Sequence, residues 1–221
     1  DVCRLQQVLL VETAGGMAGC LHRRPYTLSV RGKTISADYL VGVAVHPAAR
    51  GRGVAGKLLA GAFHAAREEN KPAVILMPSD ASLYYRHGFG FYVYQWQRTA
   101  NPERLIQMGE VPAHAQTVDD PGQWEILAGI YEAYIAGRTG WAVRDESFWR
   151  LHIAGQLNEG YIAVVYDEKG PAGYLWYTVE NRILQASEMA FRSESGRRGL
   201  YGFMGRHRGS VDRCVWYEPQ E

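Results

Sequence analysis

Three strand-like runs, one helical stretch and one short apolar run follow each other in the first part of the chain, and the same order returns later. Val8 to Glu12 is short and apolar. A turn at Gly15–Gly16 leads into Met17 to Val30, and Arg31–Gly32 makes a tight hairpin into Thr34 to Val45. The turn residues and β-branched content of these runs predict antiparallel strands. After Pro47 the period changes: Val54, Leu58, Leu59, Ala62, Phe63 and Ala66 recur at helical spacing, so one helix face packs on the sheet. Lys71–Pro72 ends that helix. The run "AVILM" (Ala73 to Met77) is continuous, as expected of a strand buried on both faces. "PSDASLYYRHG" reads as a short helix capped by Ser79 or Asp80 and stopped at Gly88. "FGFYVYQW" reads as a closing aromatic strand. The first unit is therefore β-β-β-α-β-α-β.

Pro102, Gly109, Pro112 and Pro121 mark residues 101–122 as a connector or irregular segment. Beyond it, Gln123 to Ala136 is helical, with Trp124, Leu127, Ile130, Tyr131 and Tyr134 on one side. A second helix, Glu146 to Ala154, is capped by Asp145. Strands are expected at Tyr161 to Tyr166, Ala172 to Val179 and Ile183 to Phe191, then a helix near Ser195 to Arg206 and a strand from Val211 to Trp216. That order, α-α-β-β-β-α-β, repeats the first with its leading helices present. The expectation is an α+β fold in two tandem copies, residues 1–100 and 101–221. Each copy is a mixed, mostly antiparallel sheet flanked by helices, and the first lacks its N-terminal helices. The second copy's loop, "FRSESGRRGLYG", keeps basic residues but loses the glycine spacing of the first. It reads as structural or substrate-shaping.

A chain of 221 residues with 47% hydrophobic residues can build two cores, and a formal net charge of +1 gives no global field for nucleic acid or an anionic membrane. The three cysteines, Cys3, Cys20 and Cys214, are far apart and form no C-x-x-C pair, which argues against a disulfide framework or zinc site and for a reducing cytoplasm. No apolar run reaches the ~18 residues of a membrane span. The opening "DVCRLQQVLLVE" has no basic leader before an apolar core and resembles a domain interior, so the chain is expected to lack its natural start.

The stretch "HPAARGRGVAGKLL", residues 46 to 59, contains three overlapping phosphate motifs. Gly51, Gly56 and Lys57 give G-x-x-x-x-G-K. A nucleotide P-loop then needs Ser or Thr for magnesium, and Leu58 stands there on the apolar helix face. Gly51, Gly53 and Gly56 give G-x-G-x-x-G. A dinucleotide turn needs its strand to run straight into the first glycine and an acidic residue ~20 positions on, at a strand end. "HPAAR" intervenes, and Glu68 and Glu69 fall on the helix. Arg50, Gly53 and Ala55 give R-x-x-G-x-A, which suits a strand, a proline, a basic loop and an amphipathic helix. Gly51 and Gly53 let the backbone approach a pyrophosphate without Cβ clashes, while the helix start supplies partial positive charge.

"VGVAVHPAARGRGVAGKLL" resembles the acetyl-CoA signature of the GNAT superfamily of N-acetyltransferases, and "PSDASLYYRHGFGFY" is similar to the serine–acidic and Tyr-x-R-x-G-[FY]-G segment of the Eis (enhanced intracellular survival) acetyltransferases. The repeat matches the two GNAT-like domains of that family over nearly the whole chain. The resemblance implies that Val43, Ala44 and Val45 present strand edge to the pantetheine arm. It implies that Gly51, Arg52, Gly53, Val54, Ala55 and Gly56, with Arg50, cradle the pyrophosphate. Ser79 and Asp80 would sit beside the thioester, and Tyr84 would be the general acid. Acetyl-CoA is then the acetyl donor, no metal is required, and the acceptor is a primary amine of an aminoglycoside- or polyamine-like molecule. A homo-oligomer is also implied.

A tyrosine with its ordinary pKa near ~10 carries a proton at neutral pH and can give it to a CoA thiolate. Its rival role is packing, since the chain holds 14 tyrosines. Tyr85 reads as packing, and Arg86 and His87 as solvated or cap-related. His46 stands at the strand end where a base is conceivable. Glu12 and Asp38, on strands, either meet a cationic substrate or face solvent. The general base that the resemblance implies is the C-terminal carboxylate of a third domain, and no residue here matches it. Alternatives that keep the loop intact are a non-catalytic CoA-ester-binding protein and, with other phosphate chemistry, an NAD(P)-dependent enzyme.

Overall fold

The computed structural model describes residues 7–220. In chain order its elements are β1 (Val8–Thr13), β2 (Gly16–Val30), β3 (Lys33–Val45), α1 (Val54–Glu68), β4 (Ala73–Leu76), α2 (Ala81–Tyr85), β5 (Gln95–Ala100), α3 (Pro102–Met108), β6 (His114–Val118), α4 (Trp124–Ile135), β7 (Trp141–Ala142), α5 (Glu146–Glu159), β8 (Tyr161–Asp167), β9 (Gly170–Glu180), β10 (Ile183–Phe191), α6 (Glu194–Gly205) and β11 (Arg213–Pro219). The chain divides into two compact units. Unit 1 holds the described residues up to Tyr92 together with Gly137–Val143; unit 2 holds Val93–Ala136 and the described residues from Arg144 onward.

In unit 1 the strands lie in the order β1-β2-β3-β4, and β7 adds to β2. The first three form an antiparallel meander. Arg31 and Gly32 both have positive φ, the turn geometry that matches the twist of a two-residue hairpin. α1 then carries the chain back so that β4 runs parallel to β3, as a crossover must. Val54, Leu58, Leu59, Ala62 and Ala66 are the buried face of α1. Gly19 lets that helix approach: a Cβ there would lie 2.8 Å from the Ala44 carbonyl oxygen and 2.9 Å from the Val54 Cγ1.

Two sequence expectations change here. The "AVILM" strand is not covered on both faces; Ile75 alone is buried, because β4 is the last strand of its sheet. The aromatic segment 89–94 is not a strand. Phe91, Tyr92 and Tyr94 are exposed, and pairing begins only at Gln95, with β5 laid antiparallel against β11 in the other sheet. Aromatic β-propensity expresses a fit to a half-buried pleated surface, and this stretch has no such surface.

In unit 2 the order is β5-β11-β10-β9-β8-β6. β8, β9 and β10 form an antiparallel meander, and α6 returns the chain so that β11 pairs parallel with β10. This is the path of β1 to β4 repeated. The leading helices are α4 and α5, and the Asp145 carboxylate accepts the Phe148 N–H at 2.7 Å as the expected cap. Residues 101–122 are not an irregular connector. Pro102 occupies the first turn of α3, the Asn101 side chain caps that helix at Arg104 N–H, Leu105 is buried, and β6 pairs with β8. The prolines and glycines mark element ends there. Gly109 is required by proximity, since a Cβ would run into the Gly202 backbone.

Three titrating groups are packed into unit 2. Burial pushes the Tyr174 hydroxyl well above the ordinary tyrosine range. Burial first, then the hydrogen bond to Glu218, raises Tyr201, and burial pushes the Cys214 thiol up to about 11. The folded state therefore holds protons that the unfolded chain releases above pH 9.0 for the thiol and 10.0 for the tyrosines. This contribution is complete below the unfolded values and is lost progressively as pH rises from them through the raised folded values. Urea midpoints measured at about pH 7 and about pH 10.5 should fall toward the alkaline end. Equal midpoints would contradict the assignment.

Candidate active site

β3 outruns β4. Their pairing covers Ala37 to Leu40 against Ala73 to Leu76 and stops there, so Val41 to Val45 leave the outer edge of β3 open. On its other side β3 stays bound to β2, with an irregular register between Cys20 and His22 and Gly42 at φ 61°. Val43, Ala44 and Val45 thus lie on a splayed strand end that leads through His46–Arg50 to the glycine loop.

His46 closes the strand. Its N–H donates to Ala18 O at 2.8 Å, and its Nδ1 accepts the Ala48 N–H at 3.2 Å. That imidazole locks the turn, a structural role. Pro47–Ala49 forms one 3-10 turn, and Gly51 and Gly53 follow with φ of 74° and 76°. Gly53 stands at the helix boundary and no side chain caps α1. The amides of Val54, Ala55 and Gly56 belong to the first turn, which has no intrahelical acceptors for them. No carboxylate lies in that turn, while Arg50, Arg52 and Lys57 are exposed around it. Free amides, the positive end of the helix dipole and three cations together favour an anion.

Beyond β4, Ser79 is exposed. The Asp80 carboxylate accepts the Ser82 N–H at 2.9 Å and caps α2, and hydrogen bonding to Ser82 holds its pKa below the ordinary value. The ring of Tyr84 is buried, with 8% of the residue exposed, and it shares one hydrophobic cluster with Val43, Val45, Val54 and Leu76. It packs edge-on against Phe89 at 5.7 Å. Among the described residues its hydroxyl has no hydrogen-bond partner, and burial raises its pKa above the usual tyrosine value. The structure therefore combines the two readings of Tyr84: a packed ring with an uncommitted O–H. Tyr85 is exposed and touches Phe91 edge-on.

His87 keeps the cap-related half of the sequence reading, since its N–H donates to the Tyr84 carbonyl at the end of α2, but it is half-buried and not solvated, and lies against Gly56 in the first turn of α1. Asp38 departs from the sequence reading. It is fully buried, where Arg23 Nε donates at 2.7 Å and Lys71 Nζ at 2.7 Å, and Glu69 closes the ring of charges at 2.9 Å from Arg23 and 2.5 Å from Lys71. It is a structural counter-ion, closed to a cationic substrate. Glu12 remains exposed on β1.

The matching corner of unit 2 is built differently. Ser193 Oγ accepts the Gly196 N–H at 3.1 Å, Glu194 occupies the first turn of α6, and a Cβ on Gly196 would meet the Ala172 carbonyl. The helix start is capped, carries a carboxylate and sits down on β9. Among the described residues no cluster of His, Cys, Asp and Glu could hold a metal, and no helix is long and apolar enough to cross a membrane.

Two family models, each described as an acetyltransferase (GNAT) domain, match residues 1–92 and 140–221. An uncharacterized N-acetyltransferase of Streptomyces griseus is 28% identical over 138 residues, covering 55% of this chain and 30% of that protein. A GCN5-related N-acetyltransferase from Anabaena variabilis superposes with a TM-score of 0.83 at 20% identity, over 98% of this chain and 57% of the other. Eis1 from Mycobacterium abscessus gives a TM-score of 0.76 at 21% identity, over 95% of this chain and 55% of its own. The chain spans little more than half the length of these solved relatives, and the likeness to them is one of fold.

Proposed function

Because the chain belongs to the GNAT acetyltransferases and carries that domain twice, we propose that unit 1 moves an acetyl group from acetyl-CoA to a primary amine of a small cationic molecule, aminoglycoside- or polyamine-like, with Tyr84 as general acid. One observation carries this reading: the splayed end of β3, the uncapped start of α1 and the free hydroxyl of Tyr84 meet around one hydrophobic cluster. The CoA pyrophosphate takes the amides of Gly51 to Gly56, with Arg50 and Arg52 at the rim. The pantetheine amides pair with the open edge at Val43, Ala44 and Val45, replacing the ladder that β4 no longer supplies. Ser79 and Asp80 line the arm next to the thioester, Asp80 through its cap.

The amine nitrogen attacks the thioester carbonyl and the carbon–nitrogen bond forms. A strand amide within Val43–Val45 takes the developing oxyanion. The carbon–sulfur bond then breaks, the Tyr84 O–H protonates the departing CoA sulfur, and the proton shed by the acylated nitrogen passes through water to restore the phenol. The raised pKa of Tyr84 suits a donor, since it keeps the proton in place until a stronger base forms beside it. Unit 2, with its capped α6, gives shape and holds no second cofactor.

The test is calorimetric titration of the chain with acetyl-CoA, beside a thiol-release assay over a panel of polyamines and aminoglycosides. One acetyl-CoA per chain and amine-dependent thiol release are expected. Binding without release on any amine would turn the reading to a CoA-ester-binding protein. Stabilisation by NAD or NADP and not by acetyl-CoA would end it.

A further inference from the structure

We infer that His87 is a further cofactor-binding residue of unit 1, donating an imidazole N–H to the pyrophosphate held at the start of α1; this rests on the acetyl-CoA reading above. The position of His87 is fixed by a double return of the chain. Its N–H and that of Phe89 both donate to the Tyr84 carbonyl, at 2.9 and 3.3 Å, and Gly88 makes the turn between them at φ 86°. This sets the imidazole over the third residue of α1. A Cβ on Gly56 would lie 3.0 Å from its Cε1, 3.7 Å from Nε2 and 3.8 Å from Nδ1. The ring fills the volume that an ordinary side chain at 56 would take. Its Cε1 makes the contact, and Nε2 and Nδ1 flank it.

Neither ring nitrogen has a protein partner among the described residues. The other histidines are mostly committed. His46 accepts Ala48 N–H, His64 meets Glu68, and His152 and His207 engage the Phe148 and Phe203 carbonyls. Lys57 follows Gly56 on α1, Arg86 directly precedes His87, and Arg50 and Arg52 stand in the loop before α1. Asp80, seven positions before His87, is spent on capping α2. Uncommitted imidazole nitrogens beside a helix start with no side-chain cap and no carboxylate in its first turn are a donor set that an anion completes. His87 also follows Tyr84 by three positions, so one short segment supplies both the phosphate-side donor and the proposed proton donor.

The experiment compares the full chain with His87→Phe, which keeps ring volume and loses both nitrogens, and with His87→Gln, which keeps a donor. CoA affinity is measured by calorimetry. Thiol release is measured with acetyl-CoA and with S-acetylpantetheine, a donor that lacks the pyrophosphate. His87→Phe should weaken CoA binding about tenfold and raise KM for acetyl-CoA with kcat within about twofold. His87→Gln should recover most of the loss, and S-acetylpantetheine kinetics should not change. Parent-like CoA affinity in His87→Phe would overturn the inference. So would an equal loss with both donors, which signifies packing alone. Failure of the parent chain itself to bind CoA is a separate result that removes the acetyl-CoA reading and this inference with it.

Discussion

Tyr84→Phe is expected to lower kcat roughly a hundredfold while CoA affinity stays within about twofold. The substitution deletes one oxygen and keeps the ring that packs against Phe89 and the β3–α1 cluster. The hydroxyl has no hydrogen bond among the described residues, so its loss leaves no unpaired partner behind, and stability should hold to within about 0.5 kcal/mol. What disappears is the proton for the leaving thiolate, an interaction realised only as the carbon–sulfur bond breaks. A hundredfold loss corresponds to about 2.7 kcal/mol of barrier. Burial lifts the pKa of this tyrosine above its ordinary value of 10.0. In the parent enzyme the decline of kcat through tyrosine ionisation should therefore begin only above pH 10, and in Tyr84→Phe that limb should vanish. Steady-state thiol release across pH, with a thermal unfolding control, decides it. A variant with parental kcat removes Tyr84 from the chemistry.

What the sequence discloses here is what depends on near neighbours. The Arg31–Gly32 turn, the helical face of α1, the Asp145 cap and the positive-φ glycines of the loop each follow from a few adjacent residues, and each is found in place. The repeat was legible for the same reason, since both meanders and both crossovers are local in chain order. Pairing across long separations was not. β5 leaves the aromatic segment beside it and joins β11, near the far end of the chain, while the two residues of β7 join β2. No periodicity in either segment names its partner. Asp38 shows the same limit in electrostatics. A carboxylate on a strand reads as solvent-facing, and its burial follows only from Arg23 and Lys71, which lie 15 and 33 positions away. At the site, glycine spacing disclosed the loop, and the hairpin return at Gly88 gave no sign that His87 would lie on Gly56.

Glu188→Ala is expected to destabilise unit 2 by about 3–5 kcal/mol. Arg144 and Glu188 form a two-point pair, NH1 to Oε1 at 2.7 Å and NH2 to Oε2 at 2.6 Å, and Tyr174 O–H donates to the same Oε1 at 2.5 Å. The guanidinium lies over Tyr131 at 3.9 Å, with Phe148 at 4.8 Å and Trp149 at 4.9 Å, and the Arg144 side chain is only 11% exposed. Burial disfavours that charge, but Glu188 outweighs it and lifts the arginine pKa above its usual value, so the cation persists. Truncating the carboxylate leaves a buried guanidinium and a buried phenol without their acceptor; the aromatic faces cannot replace two charge-assisted hydrogen bonds. The pair itself need not be net stabilising, since two desolvated ions repay little more than they cost. Arg144→Met with Glu188→Leu should therefore recover most of the loss, and a double-mutant cycle in urea should give a coupling of the same order as the single effect. Near-parental stability of Glu188→Ala would show that water reaches the guanidinium. The location gives the pair its meaning. Glu188 follows the register irregularity between β9 and β10, as Ala44 follows the one between β2 and β3, with Gly42 and Val43 inside it. Beyond that irregularity unit 1 has the open strand end of Ala44 and Val45, whereas unit 2 has the buried ion pair of Glu188 with Arg144.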